Sequence, residues 1–401
     1  MLPGIGVFGT GAIAKVLVPF LREKGFSVEA IWGVTLQEAE TAAKELEIPF
    51  FTNKIDDVLL KKNVNLVFIV CAPNLHAQIS VKALGIGKHV VCDKPAGLCQ
   101  AEALKMVRAA QYYPTLISII NHSLRFLPAF SHMRKSIQEG YLGDPEELTL
   151  IDVRVQMGPL LGDSYNWLCD DTMGGGSLTL VGSHVIDLVT FLTGQKVVKV
   201  HGVLRTFVDE TPKVSGIRKI TAPDFCTFQL QMDKGLLVTT TVNNHLPGPC
   251  FNQEIYVCSK KGYLVVRGGD LHGKLHKINT KNITEDEGKR PHDKEEVIYV
   301  DVEDLSCASS VVPKPYIKGL CKMISALKEA FLPVKEQMDW VKEPVRAAAT
   351  FEDGQRVQAT MEALRQSNED GCWTTVHLLT EPPDPNPALS AAVRRTAISL
   401  Q

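Results

Sequence analysis

A short apolar run, Ile5–Phe8, stops at a glycine and passes directly into Gly9-Thr10-Gly11-Ala12-Ile13-Ala14, which opens a stretch with helical spacing. That order of strand, glycine-rich turn and helix constrains the fold more than any other feature. G-x-G-x-x-G/A is a weak pattern alone and gains meaning only between a strand and a helix. Gly9 allows the tight turn. Gly11 has no side chain, so a pyrophosphate can approach the backbone. The following helix N-terminus offers free N–H groups and positive dipole to phosphate. Thr10, Ala12 and Ile13 complete the expected contact set. The plain alternative is a turn softened by glycine that binds nothing.

The first 120 residues keep alternating. Ile13–Glu23, Leu36–Leu46 and Ala77–Leu84 carry apolar residues at helical spacing, and Val28–Ile31, Leu66–Val70 and His89–Cys92 read as strands. The continuous run LVFIV suits a strand buried on both faces. Alternation of this kind predicts a doubly wound parallel sheet, a Rossmann domain, over 1–122. Beyond about residue 125 strands dominate, at Glu147–Val155, Val197–Thr206, Phe225–Met232, Leu236–Asn243, Glu254–Cys258 and Tyr263–Arg267. Helices are expected at Ser131–Glu139, His184–Leu192, Ile317–Ala330 and Phe351–Gln366. The fold class is α/β: a Rossmann domain plus a second α+β domain with a large, mostly antiparallel open sheet over 123–376. The polar stretch 268–315 reads as a surface excursion, and 377–401, proline-rich from Glu381, as a loose tail.

The formal net charge of −2 gives no global field to draw nucleic acid or an anionic membrane, and no basic stripe with interleaved aromatics is present. No stretch reaches the roughly 18 uninterrupted apolar residues of a spanning helix. The apolar start, Met1 to Phe8, lacks the charged beginning of a secretory leader and is broken by glycines. The ten cysteines include no C-x-x-C pair. They suggest free buried thiols, as at Cys71, Cys226 and Cys258, in a reducing, cytoplasmic setting, with no metal site. The sequon Asn282-Ile283-Thr284 would matter only in a secreted chain.

The second half of the dinucleotide fingerprint is missing. An acidic residue should end strand two and bind the ribose of NAD. That strand ends in Gly33-Val34-Thr35, with neither an acid for NAD nor a base for the 2′-phosphate of NADP. The cofactor is NAD or NADP.

Four segments together resemble the Gfo/Idh/MocA oxidoreductases: GTGAIA at 9–14, CAPNLHAQISVKALGIGKHVVCDKPAG at 71–97, NHSLRFLPAF at 121–130 and GGGSLTLVGSHVIDL at 174–188. GCWTTV at 371–376 matches the family's last strand. The resemblance implies a Rossmann domain followed by an open-sheet domain that carries the substrate site and an oligomer interface, hence a homo-oligomer. It also implies that Cys71, Pro73, Asn74 and His76 lie along the cofactor. Asp93-Lys94-Pro95 matches the family's E-K-P motif, with Asp for Glu, and Asn121 and Arg125 match the entry into the second domain.

Oxidising a sugar alcohol requires a group to take the hydroxyl proton as hydride leaves for the nicotinamide. Lys94 follows a strand at the edge where parallel sheets place ligands. A cationic nicotinamide beside it would lower its proton affinity. On position alone it is one solvated lysine among many. His184 follows the glycine-rich loop and opens a helix. The resemblance implies an acid/base role, although a helix histidine beside Leu188 is ordinarily packing. The family's aspartate four residues earlier is replaced by Leu180, and Asp187 is expected to partner other groups. Tyr165 and Trp167, just before Gly174–Gly176, are either sugar-stacking residues on a flap or core aromatics. The substrate set is Lys94, Arg125, Tyr165, Trp167 and His184. The implied function is NAD(P)-dependent oxidation of a sugar, polyol or related diol. The alternatives are a glycosidase or lyase using NAD transiently, and a dinucleotide-binding protein without catalysis.

Overall fold

A computed structural model describes residues 2–159, 165–210, 219–246, 251–276, 295–302, 312–332 and 345–381. The sequon at 282–284 and the end from residue 382 lie outside them.

The first half runs β1 (Ile5–Phe8), α1 (Ala12–Glu23), β2 (Val28–Trp32), α2 (Leu36–Glu45), β3 (Phe51–Thr52), α3 (Ile55–Leu59), β4 (Leu66–Ile69), α4 (His76–Gly85), β5 (His89–Asp93), α5 (Gln100–Tyr112) and β6 (Ser118–Asn121). These strands pair in parallel in the order β3-β2-β1-β4-β5-β6. Every residue of β1 and β4 is buried, as expected of a sheet covered on both faces. The chain leaves β1 toward β2 and returns on the other side as β4. Ligands of such sheets bind outside the carboxyl ends at this switch point. The residues that follow β1, β4, β5 and β6 are Gly9, Val70, Lys94 and His122.

The second half adds α6 (Pro128–Gln138), β7 (Leu148–Met157), α7 (Ser183–Thr193), β8 (Val197–Arg205), β9 (Phe225–Met232), β10 (Leu237–Asn243), β11 (Phe251–Ser259), β12 (Gly262–Arg267), β13 (Asp270–Leu275), β14 (Glu296–Tyr299), α8 (Lys314–Phe331), β15 (Ala349–Thr350), α9 (Phe351–Asp370) and β16 (Thr374–Thr375). The second sheet has the order β14-β13-β12-β11-β7-β10-β9-β8-β16 and is antiparallel except where β7 meets β10. In β7, Ile151, Val153 and Val155 are buried while Asp152 and Arg154 are exposed, the alternation of a sheet covered on one face. Helices α6, α7 and α9 supply that cover through residues such as Phe130, Val185 and Leu364. The segment Asp171–Thr193 is long and apolar enough to cross a bilayer, but 89% of its most apolar window is buried within the protein, as in a core helix.

Three expectations are corrected. The stretch 268–315 contributes β13 and β14 to the sheet. They were disguised by the charged sequence around them, and β14 is a strand of four residues at the sheet edge. Second, the chain after residue 123 does not stay with the second sheet. Helix α8 buries Ile317, Leu320, Met323, Ile324 and Leu327 in one cluster with Ile5, Val7, Leu17 and Leu21 of the first domain. Strand β15 pairs antiparallel with β6. Third, residues 377–381 are held. The Gln355 amide donates to the Leu379 carbonyl at 2.6 Å, and the Leu379 N–H donates to Gln100 Oε1 at 2.9 Å.

Helix α8 can seat where it does because of Gly319. A Cβ there would overlap the carbonyl oxygen of Ser123. Tyr316 lies one turn earlier on the helix and is carried inward with it.

Candidate active site

The glycine-rich turn has the shape the sequence predicts. Gly9 sits at φ +129°, and a Cβ there would meet the Val70 backbone at 2.8 Å, so only glycine fits. Gly11 is different. It caps α1 with an ordinary φ of −76°, and a Cβ would meet nothing within 4 Å. Its glycine serves no contact inside the protein, and the space beside it is open for a ligand. No side chain caps α1. Thr10 and Thr35 line a cleft of ≈ 520 Å³ together with Lys15, Glu38 and Glu45. Thr35 caps α2, accepting from the Glu38 N–H at 3.2 Å, Gly33 is buried against Ala39, and Val34 is exposed.

At the end of β5 the Asp93 carboxylate accepts from the Lys94 N–H at 3.0 Å and from Asn121 Nδ2 at 3.2 Å. Burial raises the Asp93 carboxyl above the usual range, against the opposing pull of Lys94. The Lys94 ammonium donates to the carbonyl oxygen of Leu180 at 2.7 Å. Burial lowers Lys94 to about 8, with Asp93 opposing. The cause is therefore desolvation, where the sequence argument invoked a cationic neighbour. Leu180 lies in a π-helical turn, Leu178–Gly182, just before α7. Such turns recur at functional sites.

His184, one turn beyond Leu180, is buried and its Nδ1 has no partner. Burial, then the nearby positive charge of Lys94, lowers its proton affinity well below that of a free imidazole. Lys94 and His184 are thus brought together. Two residues that the sequence reading missed complete the group. His122 is buried with neither ring nitrogen bonded, and its ring stands edge-on to His184 at 5.3 Å between centroids. Burial lowers His122 to about 4. Tyr316 meets the His184 ring at 4.9 Å, and its hydroxyl is buried and unbonded. Asn121 Oδ1 is unbonded too. Buried polar atoms are nearly always satisfied, so a cluster of orphans marks a place prepared for a ligand. His122 had a usable signal, its place at the carboxyl end of β6. Tyr316 had none, because it arrives from a helix nearly 200 residues later.

Other expected site residues are engaged elsewhere. Arg125 Nε and Nη2 donate to the two oxygens of Asp187 at 2.8 and 2.6 Å, and Nη1 lies 3.2 Å from Asp353. Expected at the substrate, it ties the linker to α7 and α9. His76, expected along the cofactor, is buried with Nδ1 and Nε2 each 2.9 Å from a carbonyl, of Pro95 and Cys71 respectively. It binds the β4–α4 turn to the Lys94–Pro95 turn. Pro73 is buried, Asn74 is exposed and Cys71 is partly buried, its thiol pushed up to about 12 by burial. Tyr165 packs on Cys169, Ile220 and Ala222, a satellite cluster apart from Lys94, and Trp167 opens a short turn beside it. The glycine loop lies against the β4–α4 turn, with Gly174 beside Pro73.

The NAD-binding Rossmann fold of the GFO/IDH/MocA oxidoreductase family matches residues 4–120, and the family's C-terminal domain matches residues 130–265. The chain belongs to the Gfo/Idh/MocA family. It is 46% identical over 408 residues to glucose-fructose oxidoreductase domain-containing protein 1 of Xenopus tropicalis, covering all of both chains. Over 402 residues it is 45% identical to domain-containing protein 2 of Mus musculus, covering 98% of this chain and 99% of the other. Among solved structures, levoglucosan dehydrogenase in complex with NADH and L-sorbose superposes with a TM-score of 0.75 at 17% identity, over 95% of this chain and all of that one. At that identity the likeness is one of fold. The family match agrees with the Rossmann domain, the open second sheet and the dinucleotide-binding class read from the sequence.

Proposed function

We propose that this chain transfers hydride between a nicotinamide dinucleotide and a sugar, polyol or related diol. The observation that carries this reading is the meeting of Lys94, held at about 8, with the unbonded nitrogens of His184 and His122 and the Tyr316 hydroxyl at the switch point. The turn at Gly9–Ile13 fits a dinucleotide, because Gly11 leaves space at an uncapped helix N-terminus. Thr10 and Thr35 would flank its ribose end. There, Glu38 and Glu45 face one lysine, Lys15, which is itself paired to Glu45 at 2.7 Å. That balance opposes a 2′-phosphate and favours NAD(H) over NADP(H).

When bound, the dinucleotide supplies the hydride acceptor. The chain's own residues manage the proton. Neutral Lys94 takes the proton of the substrate hydroxyl, and the ammonium formed is held by the Leu180 carbonyl and the field of Asp93. His184 and Tyr316 orient the hydroxyls by hydrogen bonds at atoms otherwise unpaired. Closing these groups from water strengthens each interaction. The absence of an aspartate at Leu180 favours, as the second reading, a dinucleotide-binding protein without turnover.

The test is a screen of sugars and polyols with NAD+ and NADP+, read at the reduced-nicotinamide absorbance. Turnover with NAD+ that disappears in Lys94→Ala supports the first reading. Bound dinucleotide with no turnover on any substrate supports the second, and failure to bind either dinucleotide at millimolar levels overturns both.

A further inference from the structure

On the other side of α7 from the Lys94 site lies a cleft of ≈ 420 Å³, within the size range of small-ligand pockets. Its lining includes Arg125, Arg134, Lys196 and Arg356 against only two carboxylates, Asp233 and Asp353. Neither Lys94 nor His184 borders it.

The cations are not equivalent. Arg125 is neutralised by Asp187 and Asp353. Arg134, on α6, has no hydrogen bond or ion pair among the described residues. Its Nε is buried and unbonded, and its guanidinium stands 4.3 Å from the centre of the Phe191 ring. Arg125 lies 4.9 Å from the same ring, so two guanidiniums share one aromatic neighbour. Burial and that like charge lower the affinity of Arg134 for its own proton, the mark of an uncompensated cation. Arg356, on α9, likewise has no hydrogen-bonding or ionic partner for its guanidinium among the described residues. The Lys196 ammonium has no partner among the described residues, while its backbone N–H donates to Asp233 at 3.1 Å. Val197, Val357 and Leu378 give the wall an apolar portion, beside the neutral polar Thr190, Gln195 and Thr360.

We infer that this cleft is a second ligand site, built for a small oxyanion-bearing molecule with an apolar portion. Arg134 and Arg356 receive its phosphate or carboxylate group, and Lys196 adds charge at the rim. Guanidiniums match such groups through paired N–H donors, and a fixed one loses little freedom on binding. The stack on Phe191 fixes Arg134 in advance.

The test uses the full chain in chloride buffer at constant ionic strength. Inorganic phosphate, glycerol 3-phosphate and citrate are titrated separately, with binding followed by calorimetry and by thermal shift. Saturable binding by either phosphate probe, or by citrate, is expected, and the probe that binds names the oxyanion. The double variant Arg134→Gln/Arg356→Gln should weaken it by roughly tenfold or more, as loss of two charge-assisted contacts requires. Should the double variant fold poorly, Arg356→Gln alone is used, since that side chain is exposed. Binding unchanged in the variant would place the anion at the dinucleotide turn and overturn the inference. So would the absence of any saturable response, or an equal response to added chloride.

Discussion

The Lys94 ammonium and the Leu180 carbonyl oxygen are 2.7 Å apart, joined across the interface between the two sheets. Leu180 stands where the resemblance leads one to expect an acid. Its side chain cannot accept a proton, yet its backbone supplies the acceptor that orients the lysine. The π turn matters here, since it gives Leu180 its place one turn before His184.

Lys94→Met should reduce turnover by roughly 10²–10⁴-fold, the usual worth of a positioned proton acceptor, while dinucleotide affinity is kept. In the parent chain kcat/KM for oxidation should rise with pH and level off above about 8, because the neutral amine is the active form. A profile flat from pH 6 to 9 would remove Lys94 from this role.

Acid should unfold the protein partly through His122. Its folded value is lowered to about 4, below the free value of 6.5. Stability is then full above about 6.5 and declines as pH falls toward 4, because only the unfolded chain takes up the proton. The loss is about 3 kcal/mol over that window. His122→Phe should flatten that part of a urea-midpoint curve measured against pH.

Arg125→Met leaves Asp187 buried and unpaired, and should cost about 3–5 kcal/mol in urea unfolding. Adding Asp187→Leu should restore much of it. If the double variant is no more stable than the single, the pair does not behave as one buried unit.

Gly11→Val should leave the melting temperature unchanged, since a Cβ meets nothing there, and weaken dinucleotide binding on the order of a hundredfold. Gly9→Val should destabilise the fold itself, because φ is +129° and the Val70 backbone is in the way.

Tyr316→Phe removes a buried hydroxyl that has no partner, and should raise stability by about 1 kcal/mol. If that hydroxyl serves the substrate, KM rises in the same variant. A stability gain with unchanged KM and kcat would assign Tyr316 to packing alone.

The parallel sheet was legible because buried strands and amphipathic helices carry strong periodic signals, and the Gly9–Ala14 turn because its glycines act locally. Lys94 and His184 were found through motifs and lie together. For Arg125 and His76 the sequence gives a neighbourhood without saying which partners within the protein reach them. Asp187 accepts from Arg125, and the two ring nitrogens of His76 face the carbonyls of Pro95 and Cys71. β13 and β14 were hidden by the charged sequence around them. Tyr316 depends on a contact between α8 and the turn after β6, which no local pattern encodes.

The return of α8 and β15 to the first sheet bears on how the chain is made. The hydrophobic face of β1 and α1 is completed by Ile317–Leu327 with Val345 and Ala348, and the edge of β6 by Ala349–Thr350. A ribosome that has released residues 1–122 has released a sheet with an open flank. The first domain in sequence is therefore among the last to be finished, and a fragment ending at 122 should be sticky and poorly soluble where the full chain is not.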